Sequence, residues 1–79
     1  MSLTESERQA KLWKLCEIEG YETAEALIEA VLLDAVSPAI CASPECNYTC
    51  EMEPDQRRGW CDECRRNTMI AAPILAGVI

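Results

Sequence analysis

Four of the six cysteines stand in two pairs, Cys41-x4-Cys46 and Cys61-x2-Cys64, with fourteen residues between the pairs. Two short loops that each present two sulfurs to one point are what a tetrahedral thiolate site requires, and zinc accepts such a shell at about 2.3 Å per sulfur. The tight Cys61-Asp62-Glu63-Cys64 turn has that form, and Pro44 stiffens the longer Cys41–Cys46 loop. The chain contains no histidine, which removes mixed Cys–His sites and leaves an all-thiolate shell. The expected ligands are Cys41, Cys46, Cys61 and Cys64, with one Zn2+ per chain. A set of Cys46, Cys50, Cys61 and Cys64 has the same donors. Cys50 falls inside a predicted strand, however, where its side chain would cross a sheet face instead of turning around a loop, so Cys41 is preferred.

The elements that must carry these loops divide near Pro38. Thr4-Glu5-Ser6-Glu7 has the spacing of a capping box and opens a helix expected from about Glu5 to Ile18. Leu12, Trp13, Leu15, Cys16 and Ile18 are expected toward one side, and Gly20 is the stop. Cys16 reads as a small buried hydrophobe. Thr23 caps a second helix in which Ala24, Leu27, Ile28, Val31, Leu32 and Ala35 form a buried stripe, widened by Leu33 and Val36 and ended by Ser37-Pro38. The short linker between the helices predicts a hairpin. It also has the outline of a helix-turn-helix, but the exposed side of the second helix offers Glu25, Glu29 and Asp34, which repel DNA. Beyond Ile40 the expected elements are a strand at Tyr48–Met52, a turn at Pro54–Gly59, and one or two strands in Asn67–Ile79 interrupted by Pro73.

Seventy-nine residues bound the answer to one domain, residues 1–79, with a helical part at 1–38 and a cysteine-bearing part at 39–79. A core this small calls for a staple, either disulfides or a metal. No secretory leader is visible, so the reducing cytoplasm is the expected location, where paired cysteines more often bind metal. The formal charge of −7 divides into −5 for residues 1–40 (8 acidic, 3 basic) and −2 for residues 41–79 (6 acidic, 4 basic). That balance opposes general binding to phosphate backbones. No apolar run reaches the roughly 18 to 20 residues needed to span a bilayer, so no membrane partner is expected.

The order of a cysteine loop, a strand, a turn, a second cysteine loop and a closing strand within Cys41–Ile79 resembles zinc-ribbon domains, over about half the chain. The resemblance implies a structural metal site and a three-stranded ribbon, giving an α+β fold with the helical hairpin packed on it. It implies no single function, since ribbons serve many. The stretch Glu51-Met52-Glu53-Pro54-Asp55-Gln56, with Gly59-Trp60-Cys61 and Asn67-Thr68, also resembles a group of short, functionally uncharacterised bacterial and phage proteins. One departure stands out. Zinc-ribbon loops often carry Gly just after the second cysteine, and here Arg65 and Arg66 follow Cys64, which implies a strained or differently turned loop.

Three function classes follow as expectations. The first is a non-enzymatic interaction module docking on a protein partner, suggested by Trp13, Trp60 and the Ile70–Ile79 segment. The second is nucleic-acid binding through Arg57, Arg58, Arg65 and Arg66, which bracket the second cysteine loop. The third is a rubredoxin-like iron site for electron transfer. Hydrolytic catalysis is disfavoured, because four protein thiolates leave no open metal position and no histidine is present as a base.

Overall fold

The computed structural model describes residues 3–78. The first helix, α1 (Glu5–Glu19), starts where local chemistry dictates: Thr4 Oγ1 accepts from the Glu7 N–H, and the Glu7 carboxylate accepts from the Thr4 N–H. It stops at Gly20, whose φ of 83° would strain any residue with a Cβ. The second helix, α2 (Ala24–Leu32), is capped by Thr23, which accepts from the Ala26 N–H at 3.1 Å. It is shorter than its apolar periodicity predicts. Leu27 and Val31 are buried, but Leu32 and Leu33 are 62 % and 89 % exposed, and Ala35 and Val36 lie exposed beyond the helix end. A 3.6-residue period identifies one face of a helix, and burial of that face requires a neighbour, which the last turn does not have.

The sheet has four strands where three were expected. They are β1 (Ser37–Cys41), β2 (Thr49–Met52), β3 (Gly59–Cys61) and β4 (Arg66–Ala71), all antiparallel in the order β2-β1-β4-β3. The added central strand β1 contains Pro38, the residue expected to end α2. Proline lacks only its own N–H, so it is tolerated near a strand start. The expected strand pair across Pro73 is instead β4 followed by a short helix, α3 (Ala72–Leu75), with Pro73 in its first turn, where the missing N–H would have no helical partner. Ile79 lies outside the described residues.

The sheet is curled. Met52 on edge strand β2 reaches Gly59 on the opposite edge strand β3 so closely that a Cβ on Gly59 would fall on the Met52 sulfur. One apolar cluster joins the helices to the sheet through Leu12, Leu15, Cys16, Leu27, Val31, Ile40, Ala72 and Leu75. Helix α3 contacts both long helices as well as β1 and β4. A second cluster, of Ala39, Cys41, Met52, Cys61, Met69 and Ala71, lies within the curl. Ile40 pairs with Ile70 while its neighbour Cys41 pairs with Met69, so alternate residues of β1 feed the two clusters. Full burial of Leu15, Leu27 and Ile40 contributes about 1.5–3 kcal/mol each.

Candidate metal centre

Strand pairing brings the two cysteine loops to one end of the sheet. The first loop connects β1 to β2, the second connects β3 to β4, and β1 runs antiparallel to β4, so both hairpin turns face the same way. Cys41 is the last residue of β1 and Cys61 the last of β3; Cys46 and Cys64 sit in the turns that follow. The Cys41 N–H donates to the Tyr48 carbonyl at 3.0 Å and the Ala42 N–H to the Thr68 carbonyl at 2.7 Å, fixing the first loop to its neighbours.

The four sulfurs of Cys41, Cys46, Cys61 and Cys64 all lie within 4.8 Å of one another. Cys41 Sγ is 3.6 Å from Cys64 Sγ, and Cys46 Sγ is 3.8 Å from Cys61 Sγ. A tetrahedron with sulfurs about 2.3 Å from one ion has edges of about 3.8 Å, and a disulfide would need about 2.05 Å. The group can therefore hold a metal ion, and all six cysteines are free thiols. Each pair links the first loop to the second, so an ion at the centre would tie the two hairpins together. Cys50 is in β2 opposite Ala39, half-buried and outside this group of sulfurs. Cys16 is buried in the helical cluster.

Backbone N–H groups point at the sulfurs, as a thiolate site needs. The Cys64 N–H donates to Cys61 Sγ at 3.4 Å, and the Ser43 and Tyr48 N–H groups favour the thiolate forms of Cys41 and Cys46. Burial opposes ionisation of Cys41, but hydrogen bonds from Thr68 Oγ1 (3.1 Å) and the Ser43 N–H, together with those to Cys64 and Cys46, outweigh it and bring the thiol to about 7. Cys46 moves the other way. The Tyr48 N–H lowers it, but burial and the thiols of Cys64, Cys41 and Cys61 push it up to about 12. Four thiols this close cannot all ionise without a cation among them.

Three supports lie outside the cysteine pattern. The Lys11 ammonium, on a residue only 7 % exposed, donates from α1 to the Ser43 carbonyl at 2.5 Å, the Cys46 carbonyl at 2.6 Å and Asn47 Oδ1 at 3.3 Å. Tyr48 Oη donates to Asp62 Oδ2 at 2.9 Å, joining the two loops at the surface. Thr68 supplies the hydroxyl on Cys41. Of these only Lys11 leaves a trace in the sequence: four residues before Leu15, it is a cation on the buried face of a helix. Of the two expectations for the loop after Cys64, strained or differently turned, the backbone shows the strained one. Arg65 has φ 55°, the left-handed conformation, and its N–H donates to the Cys61 carbonyl at 2.7 Å.

Comparison of the chain with protein-family models, with curated proteins and with solved structures finds no match. What the structure supports is therefore the coarser statement that four cysteines of the two loops converge within metal-binding distance. Trp13 and Trp60 are 57 % and 55 % exposed. Ile70 and Ile74 are half-buried and Ala71, Ala72, Pro73 and Leu75 buried, so most of the C-terminal segment fills the core and only its end offers surface. Arg57, Arg58, Arg65 and Arg66 are all exposed. No helix among the described residues is long and apolar enough to cross a membrane.

Proposed function

We propose that this chain is a non-enzymatic interaction module, stapled by one Zn2+ on Cys41, Cys46, Cys61 and Cys64, that docks on a protein partner. The observation that supports the metal staple is the pair of sulfur separations, 3.6 and 3.8 Å between loops, which are close to the edge of about 3.8 Å that a tetrathiolate tetrahedron would have. Four thiolates satisfy a zinc ion completely and leave no position for water, so the metal's contribution is to folding. That contribution is on the order of 10 kcal/mol of apparent binding free energy near neutral pH. A partner surface is supported by large apolar side chains left in solvent, Trp13, Trp60, Leu32 and Leu33 among them, in a chain of this size.

Elemental analysis of protein purified reduced and without added metal, with a thiol count in the folded state, tests the staple. One zinc per chain with two thiols left over is the expected result. Absence of metal with thiols missing in pairs would replace the staple by disulfides. The same four donors suit iron, because soft thiolates select zinc, copper(I) and iron alike. A visible absorption band and one iron per chain would give the electron-transfer reading instead.

A second reading, nucleic-acid binding, is favoured by the exposure of Arg57, Arg58, Arg65 and Arg66 around the second loop. None of the four is in an ion pair among the described residues. The net charge of −7 opposes it. Absence of any mobility shift with single- or double-stranded nucleic acid at low salt removes this reading.

A further inference from the structure

The helical half carries a mostly apolar groove between α1, α2 and the segment after α3. Leu12 of α1, Ile28 of α2, and Ala76 and Val78 after α3 form an apolar floor, and Glu25 and Glu29 stand on its rim, enclosing about 450 Å³. Leu32 follows Ile28 by one helical turn and continues the strip beyond the groove into solvent, with Leu33 beside it. Exposed leucines at the open end of an apolar groove cost solubility unless something covers them.

The charged residues that line the groove itself, Glu25 and Glu29, are both acidic, and Arg8 of α1 lies only in the adjoining hollow that shares Leu12 and Ala76 with it. Between Lys14 and Arg57 the chain contains no lysine or arginine, and the acidic residues of this stretch include Glu22, Glu25, Glu29 and Asp34 around α2. The one ion pair among the described residues, Lys14 with Glu17, lies on α1, so Glu25, Glu29 and Asp34 have no cation of their own. An anionic rim around an apolar floor complements a helix with an apolar stripe flanked by lysine or arginine. It repels nucleic acid and anionic lipid. The nine residues of α2 set the scale: a partner lying along them makes two to three turns, about 15 Å.

We propose that the α1–α2–α3 groove, extended by Leu32 and Leu33, is the docking site for a basic amphipathic helix of a partner protein. This rests on the interaction-module reading and specifies its partner.

The test uses the full chain loaded with one equivalent of zinc and a labelled designed peptide. The peptide carries leucines at i, i+3, i+4 and i+7 flanked by lysines, and binding is followed by fluorescence anisotropy. Two controls accompany it: the same composition scrambled, and the same stripe with glutamate for lysine. The expected result is saturable binding of the first peptide only, weakened at least tenfold by Glu25→Lys with Glu29→Lys and by Leu32→Ser with Leu33→Ser. These residues are exposed, so the substitutions leave the fold intact, and unchanged zinc content and helical signal check that.

Four results overturn the proposal. Equal binding of the scrambled peptide reduces the effect to charge alone. Absence of binding at millimolar peptide removes the basic helix as occupant. Concentration-dependent self-association abolished by Leu32→Ser with Leu33→Ser assigns the face to a second copy. Loss of peptide binding on Trp60→Ala, with the groove variants unaffected, overturns the groove while leaving the interaction module standing.

Discussion

The Lys11 ammonium donates to the Cys46 carbonyl across thirty-five residues of sequence, at 2.6 Å. With its bond to the Ser43 carbonyl it ties the first turns of α1 to the first cysteine loop, so helix position and loop shape depend on each other. Four thiolates and a divalent ion leave a net charge of −2. A buried cation on the backbone of the same loop offsets part of it.

Replacing Lys11 by Met keeps the stem and removes the ammonium. The Ser43 and Cys46 carbonyls then lose a charged donor in a part-buried site, and a loss of about 2–4 kcal/mol is expected in denaturant unfolding of the zinc-loaded protein. Zinc affinity, read by competition with a chromophoric chelator, should fall about tenfold or more, as for other groups that orient metal ligands from outside the coordination shell. Unchanged affinity would reduce Lys11 to a fold contact.

Substituting the cysteines one at a time separates ligands from bystanders. Cys61→Ser or Cys64→Ser should abolish zinc binding and unfold the sheet, because each hairpin loses its tie to the other. Cys50→Ser should retain one zinc per chain. Cys16→Ser places a hydroxyl in the helical cluster and should cost about 1–3 kcal/mol with zinc retained. Elemental analysis and circular dichroism of the four variants check this, and loss of zinc in Cys50→Ser would redraw the ligand set.

The spare thiols carry a pH signature. Burial pushes Cys16 above the ordinary thiol value of 9.0, only partly offset by a backbone hydrogen bond. Burial also raises Cys50, with Asp62, Cys61 and Glu51 adding to it. A raised thiol is less ionised at neutral pH than a free cysteine, so alkylation of both in the zinc-loaded protein should be slower than that of a peptide thiol at pH 7.5. The rate should climb with pH past 9. The sign for stability follows: Cys16 favours folding below pH 9, and that contribution is lost as pH rises through its raised value. Mass spectrometry of labelled protein at several pH values reads out both sites, and rapid labelling of Cys16 at pH 7.5 would contradict its burial.

Local chemistry made the helix starts and the Gly20 stop legible in the sequence, because a Thr-to-Glu cap at three-residue spacing and a left-handed glycine act within one turn. The cysteine spacing likewise pointed to four sulfurs at one place. Strand β1 escaped because it is buried on both faces and carries no two-residue alternation, and because Pro38 reads as a stop. Helix α3 escaped because Pro73 signals a break in a strand and a start in a helix, and four residues carry no period. The overlong reading of α2 has a related cause: Leu32 and Ala35 keep the period after the packing partners have ended. Lys11 binds backbone carbonyls, and a carbonyl has the same appearance at every position of a sequence.

Two backbone positions test how tightly the second hairpin is drawn. Arg65 pays the steric cost of left-handed backbone, roughly 1–2 kcal/mol for a residue with a Cβ, and Gly would remove it while adding about 0.5–1 kcal/mol of chain entropy to the unfolded state. Arg65→Gly should therefore be neutral or stabilising by up to about 1 kcal/mol, with zinc retained. Gly59 has the opposite constraint. Its Cα lies against buried Met52 from the far edge of the sheet, so Gly59→Ala must displace that side chain and should cost about 1–3 kcal/mol. Gly59→Ala should cost less when made on a Met52→Ala protein than on the parent, the single Met52→Ala variant completing the cycle, because the smaller side chain leaves room for the new methyl. Denaturant midpoints of the four variants measure both effects. A Gly59→Ala protein as stable as the parent would mean that the curl of the sheet does not depend on this contact.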